Sequence, residues 1–195
     1  VMAVVKANAY GHGAIAVARE ALAAGADQLA VATVDEGVQL RNAGVKPPIL
    51  VLGPVDETEI DLAVGRSIEL PVASLAFAAA VAEAAEQIGV SSPVPVHLKV
   101  DSGMHRYGVE PEQAVALAAF VQQHPLLRLR GAFTHFARAD EPDEAPTEDQ
   151  DEVLEAALGR IRSSGIDVEV VHSANSAATI RSHRFHRGMV RLGIA

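Results

Sequence analysis

The chain has 195 residues, 49% of them hydrophobic, a formal net charge of -9 and no cysteine. That is enough apolar material for one substantial core, so residues 1–195 are expected to form a single domain and not a string of small modules. The acidic balance argues against a footprint for nucleic acid or an anionic membrane surface, the missing thiols exclude disulfides and thiolate zinc sites, and no apolar stretch approaches the ~20 residues a membrane span requires.

Small-molecule partners and a cytoplasmic location are therefore the expectation, with no signal-type segment at the start. Val1 to Val5 form an apolar, β-branched run from the first residue, where a frayed polar start is commoner, so the chain is expected to begin inside a longer polypeptide. Further apolar runs follow at residues 28–33, 48–53, 68–73, 94–100, 129–135, 168–172 and 188–194, giving eight strand candidates. Between them, residues 14–24, 75–89, 111–123 and 148–163 are rich in Ala, Leu, Glu and Gln and predict helices. Gly25, Gly44, Gly89 and Gly165 fall where those and neighbouring helices should stop.

Continuous apolar strands alternating with helices imply a parallel sheet covered on both faces, and eight such units predict an α/β fold, the (β/α)8 TIM barrel. A doubly wound open sheet is the alternative. A barrel of this kind usually takes ~250 residues, so the chain is expected to be truncated after its eighth strand. The acidic stretch from Asp140 to Glu152 reads as a solvated loop leading into a helix start.

In a parallel barrel the functional groups gather at the C-terminal ends of the strands. Lys6 closes the first run, where partial desolvation would lower its pKa toward nucleophilic use, although position alone also suits a snorkelling surface lysine. His135 closes the sixth, a place where a lone histidine is more often a satisfied core group. Ser176 could be a simple helix N-cap. No HExxH spacing occurs, His183 and His186 have no acidic residue between them, and no GxGxxG follows a strand, so neither a metal site nor a dinucleotide site is expected.

Five segments carry a resemblance, in order along almost the whole chain: AVVKANAYGHG at Ala3 to Gly13, LKVDSGMHRYG at Leu98 to Gly108, FTHFARAD at Phe133 to Asp140, HSANSAA at His172 to Ala178, and VRLGIA at Val190 to Ala195. Together they resemble the alanine racemase family. The resemblance implies pyridoxal 5'-phosphate as cofactor, with Lys6 carrying it and acting as one of two acid/base groups at the substrate Cα. It implies that Tyr10, Ser176, Gly193 and Ile194 hold the phosphate and that Arg191 faces the pyridine nitrogen. Arg106 would contact the substrate carboxylate and the cofactor's phenolic oxygen, His135 would support the catalytic tyrosine near the ring, and Lys99 would be a carbamylated lysine orienting Arg106. Asn175 and His172, beside Ser176, would orient the phosphate or cofactor, while His12 is expected to be an exposed turn residue. Leu192 stands where the family often has proline.

The resemblance implies a second acid/base group, a tyrosine from the C-terminal β-domain of the partner subunit, and that domain is expected to lie outside residues 1–195. Tyr10 and Tyr107 are the only tyrosines, and both fall in barrel motifs. The resemblance thus implies a homodimer in the full protein, an amino acid substrate interconverted between L- and D-alanine for peptidoglycan, and poor racemisation by this segment alone. The rivals are another barrel protein that binds the same cofactor, such as an amino-acid decarboxylase or a PLP-homeostasis protein, and a non-catalytic barrel in which Lys6 is structural. A decarboxylase would want an acidic group at the pyridine nitrogen in place of Arg191.

Overall fold

The apolar runs form eight short parallel strands: β1 (Met2–Val4), β2 (Gln28–Val31), β3 (Ile49–Val51), β4 (Leu70–Val72), β5 (Val94–Lys99), β6 (Leu127–Phe133), β7 (Val170–His172) and β8 (Arg191–Leu192). This is a computed structural model, and it describes residues 1–194; Ala195, the last residue of the VRLGIA segment and of the expected domain, lies outside the described residues. One four-stranded sheet runs β3-β2-β1-β8 and the other β4-β5-β6-β7. The Glu69 backbone joins them on one side, donating to the Ile49 carbonyl at 2.8 Å and accepting from the Val51 N–H at 3.0 Å. On the other side the Arg191 N–H reaches the Ala174 carbonyl at 3.0 Å. Because Met2 pairs with both Gln28 and Arg191, β1 sits between β2 and β8, and the closed (β/α) barrel replaces the open-sheet alternative.

Alternate residues of each strand face opposite sides, as the period of two requires. Leu29, Val31, Ile49 and Val51 pack outward against the helices, whereas Met2, Val4, Ala30 and Leu50 form a separate cluster inside the barrel. The outer ring holds α1 (Ala14–Ala23), α2 (Val34–Asn42), α3 (Ile60–Gly65), α4 (Leu75–Ile88), α5 (Ala114–Gln123), α6 (Ala145–Ser163) and the short α7 (Ser176–Arg181). Their ends follow local rules. Thr33 and Glu36 make a reciprocal capping box on α2, the Ser74 hydroxyl accepts from the Phe77 N–H at 3.1 Å to start α4, and Gly89 ends α4 in the left-handed region at φ 71°.

Several boundaries move. The eighth strand spans only Arg191–Leu192, and β6 ends at Phe133, so His135 lies beyond the ladder where the chain turns toward the barrel mouth. Pro111 to Gln113 form a turn closed by Gln113 donating to the Glu110 carbonyl at 2.9 Å, and α5 begins at Ala114. The stretch from Asp140 to Glu152 is not all solvated loop: α6 starts at Ala145, and Asp151 is buried against Arg187, whose Nη2 donates to it at 2.7 Å. Among the described residues no helix is long and apolar enough to cross a membrane.

Candidate active site

The chain leaves β1 in a conformation that L-residues avoid. Ala7, Asn8, Ala9 and Tyr10 are consecutive non-glycine residues at φ 50°, 55°, 52° and 53°, a single left-handed turn beginning beside Lys6. Each such residue costs roughly 1–2 kcal/mol, so the turn persists only because neighbours over-determine it. The Glu36 carboxylate accepts from the Ala7 N–H at 2.6 Å and from the Ala32 N–H at 2.7 Å, tying the turn to the β2–α2 connection. The Asn8 side chain accepts from the Ala14 N–H at 2.8 Å, and His12, exposed as expected, places Nδ1 3.0 Å from the Ala9 carbonyl.

The turn aims Lys6 and Tyr10 into a cavity of about 360 Å³ at the C-terminal mouth of the barrel. His135, Asn175, Ser176, Arg191, Gly193 and Ile194 line the same cavity, so eight of the expected site residues converge. Tyr10 lies so close to Gly193 that a Cβ there would fall 2.2 Å from the phenol oxygen; only glycine admits this approach. The Gly193 N–H donates to the Ser176 hydroxyl at 3.0 Å. The N-cap of α7 is Asn175, whose side chain accepts from the Ala178 N–H at 3.0 Å, so the Ser176 hydroxyl is not used as a cap and, while accepting from Gly193, keeps its own proton to donate into the mouth. A larger cavity of about 520 Å³, lined by Arg41, Ser67, Glu69 and Pro95 among others, lies away from this convergence and contains none of the expected site residues.

Arg191 is 3% exposed and fixed on two sides. Its Nη1 donates to Nδ1 and the carbonyl of His172 at 3.0 and 2.9 Å, and its Nη2 donates to the carbonyls of Thr134 and Ser173 at 2.9 and 2.8 Å. Burial lowers its pKa to about 10, so it stays charged at neutral pH. Burial first, then the cations Arg191, Arg106, Lys99 and Lys6, push His135 down to about 3, which keeps that imidazole neutral. Burial raises the Tyr10 phenol, opposed by a backbone hydrogen bond from Ile194.

Lys99 and Arg106 stand outside the cavity lining. Lys99 is 2% exposed, with Nζ donating only to the Val100 carbonyl at 3.1 Å and lying 5.3 and 5.5 Å from the Tyr107 and Phe133 ring centres. Burial brings its pKa down to about 8. Arg106 is exposed, on a loop shaped by the Asp101 carboxylate, which accepts from the N–H groups of Gly103, Met104 and His105 at 3.0, 3.0 and 3.1 Å. Tyr107 donates its hydroxyl to the Leu52 carbonyl, and burial raises its pKa. His172 does not turn toward Ser176: its ring is fully buried inside the barrel. Leu52, Phe136 and Asp140 also line the cavity and were not anticipated. Asp140 ends the FTHFARAD segment, so its place in that motif was the available signal. Among the described residues no cluster of three or more His, Asp or Glu side chains is placed to hold a metal ion.

A parallel barrel with a lysine, a phenol and a buried guanidinium meeting at its mouth defines a class, the α/β barrels that work on small molecules at the C-terminal strand ends. The particular family follows from comparison: residues 1–195 match the model of the alanine racemase N-terminal domain, and the chain belongs to that family. It is 44% identical to an alanine racemase of Nostoc sp. over all of its own length and 50% of that protein. Among solved structures it resembles the Clostridium difficile 630 alanine racemase in complex with cycloserine, with a TM-score of 0.95, 36% identity, and 99% of this chain and 53% of that one covered. It also resembles a histidine racemase from Leuconostoc mesenteroides subsp. sake, with a TM-score of 0.87, 31% identity, and 99% and 51% covered. The chain thus spans about half the length of the relatives it matches.

Proposed function

We propose that this chain is the cofactor-binding barrel, residues 1–195, of a pyridoxal 5'-phosphate-dependent racemase that interconverts L- and D-alanine. The observation that carries the reading is the convergence of Lys6, Tyr10, Ser176 and Arg191 on one cavity. The residues fit the group. An amine faces hydroxyl and backbone N–H donors suited to a phosphate, the cradle between Tyr10 and Gly193 would be filled by a Cβ, and the Arg191 Nε–H has no acceptor among the described residues and suits a ring nitrogen.

When bound, pyridoxal 5'-phosphate supplies the electron-withdrawing ring that stabilises a carbanion at the substrate Cα. Lys6 holds the cofactor through Nζ and takes or returns the proton on one face of Cα. Tyr10, Asn175, Ser176 and the N–H groups of Gly193 and Ile194 hold the phosphate. Arg191 would face the pyridine nitrogen, where a guanidinium that keeps its own proton would disfavour protonation of the ring and so favour proton exchange over decarboxylation. Neutral His135 supports the group on the other face, a tyrosine supplied by the partner subunit of a homodimer. Arg106 receives the substrate carboxylate, and Lys99, once carbamylated, orients it. The desolvated amine of Lys99 supports that modification, because a carbamate forms on the neutral amine and would compensate the nearby arginines. The full enzyme acts in the cytoplasm and supplies D-alanine for peptidoglycan.

The likeness to a histidine racemase favours a second reading in which the same barrel serves another amino acid side chain. Both are tested by following α-proton exchange and enantiomer formation from L-alanine and L-histidine with the full-length protein, coupled to borohydride trapping and peptide mapping. D-alanine formation and a label on Lys6 are expected. A label on another lysine, or no α-proton exchange with any amino acid, would sink the proposal.

A further inference from the structure

Behind Arg191 a line of buried polar groups crosses the barrel. Nε2 of His172 lies 2.9 Å from Nδ1 of His97, and Nε2 of His97 lies 2.9 Å from the Glu69 carboxylate. The other Glu69 oxygen is 3.3 Å from Nε of Arg130. Both histidines are 0% exposed and Glu69 is 4% exposed. The rings have little freedom. Phe133 stacks on His172 with centroids 4.8 Å apart at 6°, and a Cβ on Gly131 would lie 2.3 Å from Nδ1 of His97, so a glycine makes room for that imidazole.

The two ends of the line dictate its direction. A guanidinium only donates, so Nδ1 of His172 must accept from Arg191. A carboxylate paired with Arg130 only accepts, so Nε2 of His97 must donate to Glu69. A neutral imidazole has one donor and one acceptor nitrogen, so Nε2 of His172 donates to Nδ1 of His97 and every junction is satisfied. Any other arrangement of protons fails. If His97 carried its proton on Nδ1, or on both nitrogens, His172 would have to accept at Nε2 and would turn an N–H toward Arg191. An imidazolium at His172 does the same.

We propose that Glu69 and His97 are positioning residues: from the far side of the barrel they fix His172 as the Nε2–H tautomer, which keeps its Nδ1 an acceptor and holds Arg191 with Nε–H free for the cavity. Both Nη atoms of Arg191 are already committed, so an N–H at His172 Nδ1 would oppose Nη1 and rotate the guanidinium off its carbonyl partners. The consequence for a bound cofactor rests on the function proposed above; the order of the hydrogen bonds does not.

The test is ¹⁵N NMR of the full-length, cofactor-loaded protein labelled at histidine and arginine. In the unaltered protein His97 and His172 are expected to be neutral, each protonated at Nε2 alone; an Nδ1–H or imidazolium signal from either overturns the proposal without any variant. In Glu69→Leu, which removes the acceptor, His172 is expected to populate the Nδ1–H tautomer and the Arg191 Nε–H resonance to move. There kcat should fall roughly 10- to 100-fold with KM changed by less than about threefold, as for other groups that orient a ligating side chain. Gly131→Ala, which crowds His97 directly, should give the same signature. Retention of a pure Nε2–H tautomer at His172, or an unmoved Arg191 resonance, in a folded variant overturns the positioning role. A protein that shows these tautomers and resonance shifts but racemises nothing counts against the proposed function alone.

Discussion

Strands β1 to β3 send Met2, Val4, Ala30 and Leu50 into the barrel, with the buried Gln28, 3.4 Å from Arg130, as their polar exception, whereas the segment from Glu69 before β4 through β8 surrounds the same space with Glu69, His97, Lys99, His172 and Arg191. The first half is stabilised by ordinary apolar burial. The second half buries charge and imidazole that gain little stability even when paired, and that become costly when a partner is lost. Nearly all of its members are hydrogen-bonded to one another or to strand-end carbonyls, with Lys99, held by a single carbonyl, the least compensated. The difference teaches that one wall of this barrel serves as scaffold while the other orients a single cation, Arg191, at the mouth. Lys6 enters that mouth from the scaffold side, immediately before the strained left-handed turn.

The sharpest way to break the comparison is at Lys6. If its amine is the covalent anchor, Lys6→Ala in the full-length protein should lower kcat by at least about 10³-fold and abolish borohydride-trapped cofactor, with a thermal midpoint close to that of the unaltered protein. Residual turnover within tenfold would mean that the scaffold side carries no catalytic group. The apolar half should answer in the opposite sense. Leu50 is 0% exposed, so Leu50→Ala should cost about 2–5 kcal/mol in a denaturant melt through lost burial and a cavity. The remaining folded fraction should trap cofactor on Lys6 as before.

Lys99 tests the polar half through pH. The unfolded chain holds this proton up to the ordinary value of 10.5, while the folded one releases it near 8. Between those values the unfolded state binds more protons, so stability should rise as pH climbs from 8 to 10.5. Lys99→Met, which never carries the proton, should be more stable than the unmodified parent at pH 7 by on the order of 3 kcal/mol at most. That advantage should vanish by the upper end of the window. Denaturant melts across the range, paired with intact mass in bicarbonate, separate two cases: a carbamylated lysine has no such proton to lose, and its stability curve stays flat.

Much of this was legible in the sequence, for identifiable reasons. All eight apolar runs became strands because β-branched, continuous runs such as residues 94–100 and 168–172 suit strands buried on both faces. The residues that converge on the mouth cavity were legible through motifs, Lys6, Tyr10 and Ser176 among them. The turn they depend on was not, because Ala7 and Ala9 carry no propensity for positive φ and hold it through contacts such as those of Glu36, Asn8 and His12. Arg106 fell outside the cavity because the loop that carries it is set by Asp101, a contact that no spacing rule anticipates. The Glu69–His97–His172 line was equally hidden. Its members lie far apart in the chain, and polar residues set inside otherwise apolar runs were the one available sign.

The smallest effect is expected at Gly193, and it sharpens where the two halves meet. Gly193 follows β8, on the Arg191 side, and receives the Tyr10 phenol from the scaffold side. Its φ is not in the left-handed region, so an alanine brings no backbone strain. The cost is the contact itself, since a Cβ 2.2 Å from the phenol oxygen forces Tyr10 outward and separates the Gly193 N–H from the Ser176 hydroxyl. Losing one such pair of donors should weaken cofactor or inorganic phosphate binding about tenfold, near 1.4 kcal/mol, while changing the denaturant midpoint little. Titration of Gly193→Ala with each ligand gives the reading. Equal weakening of both locates the contact at the phosphate, whereas loss of cofactor binding with phosphate affinity intact would assign Tyr10 to another part of the site.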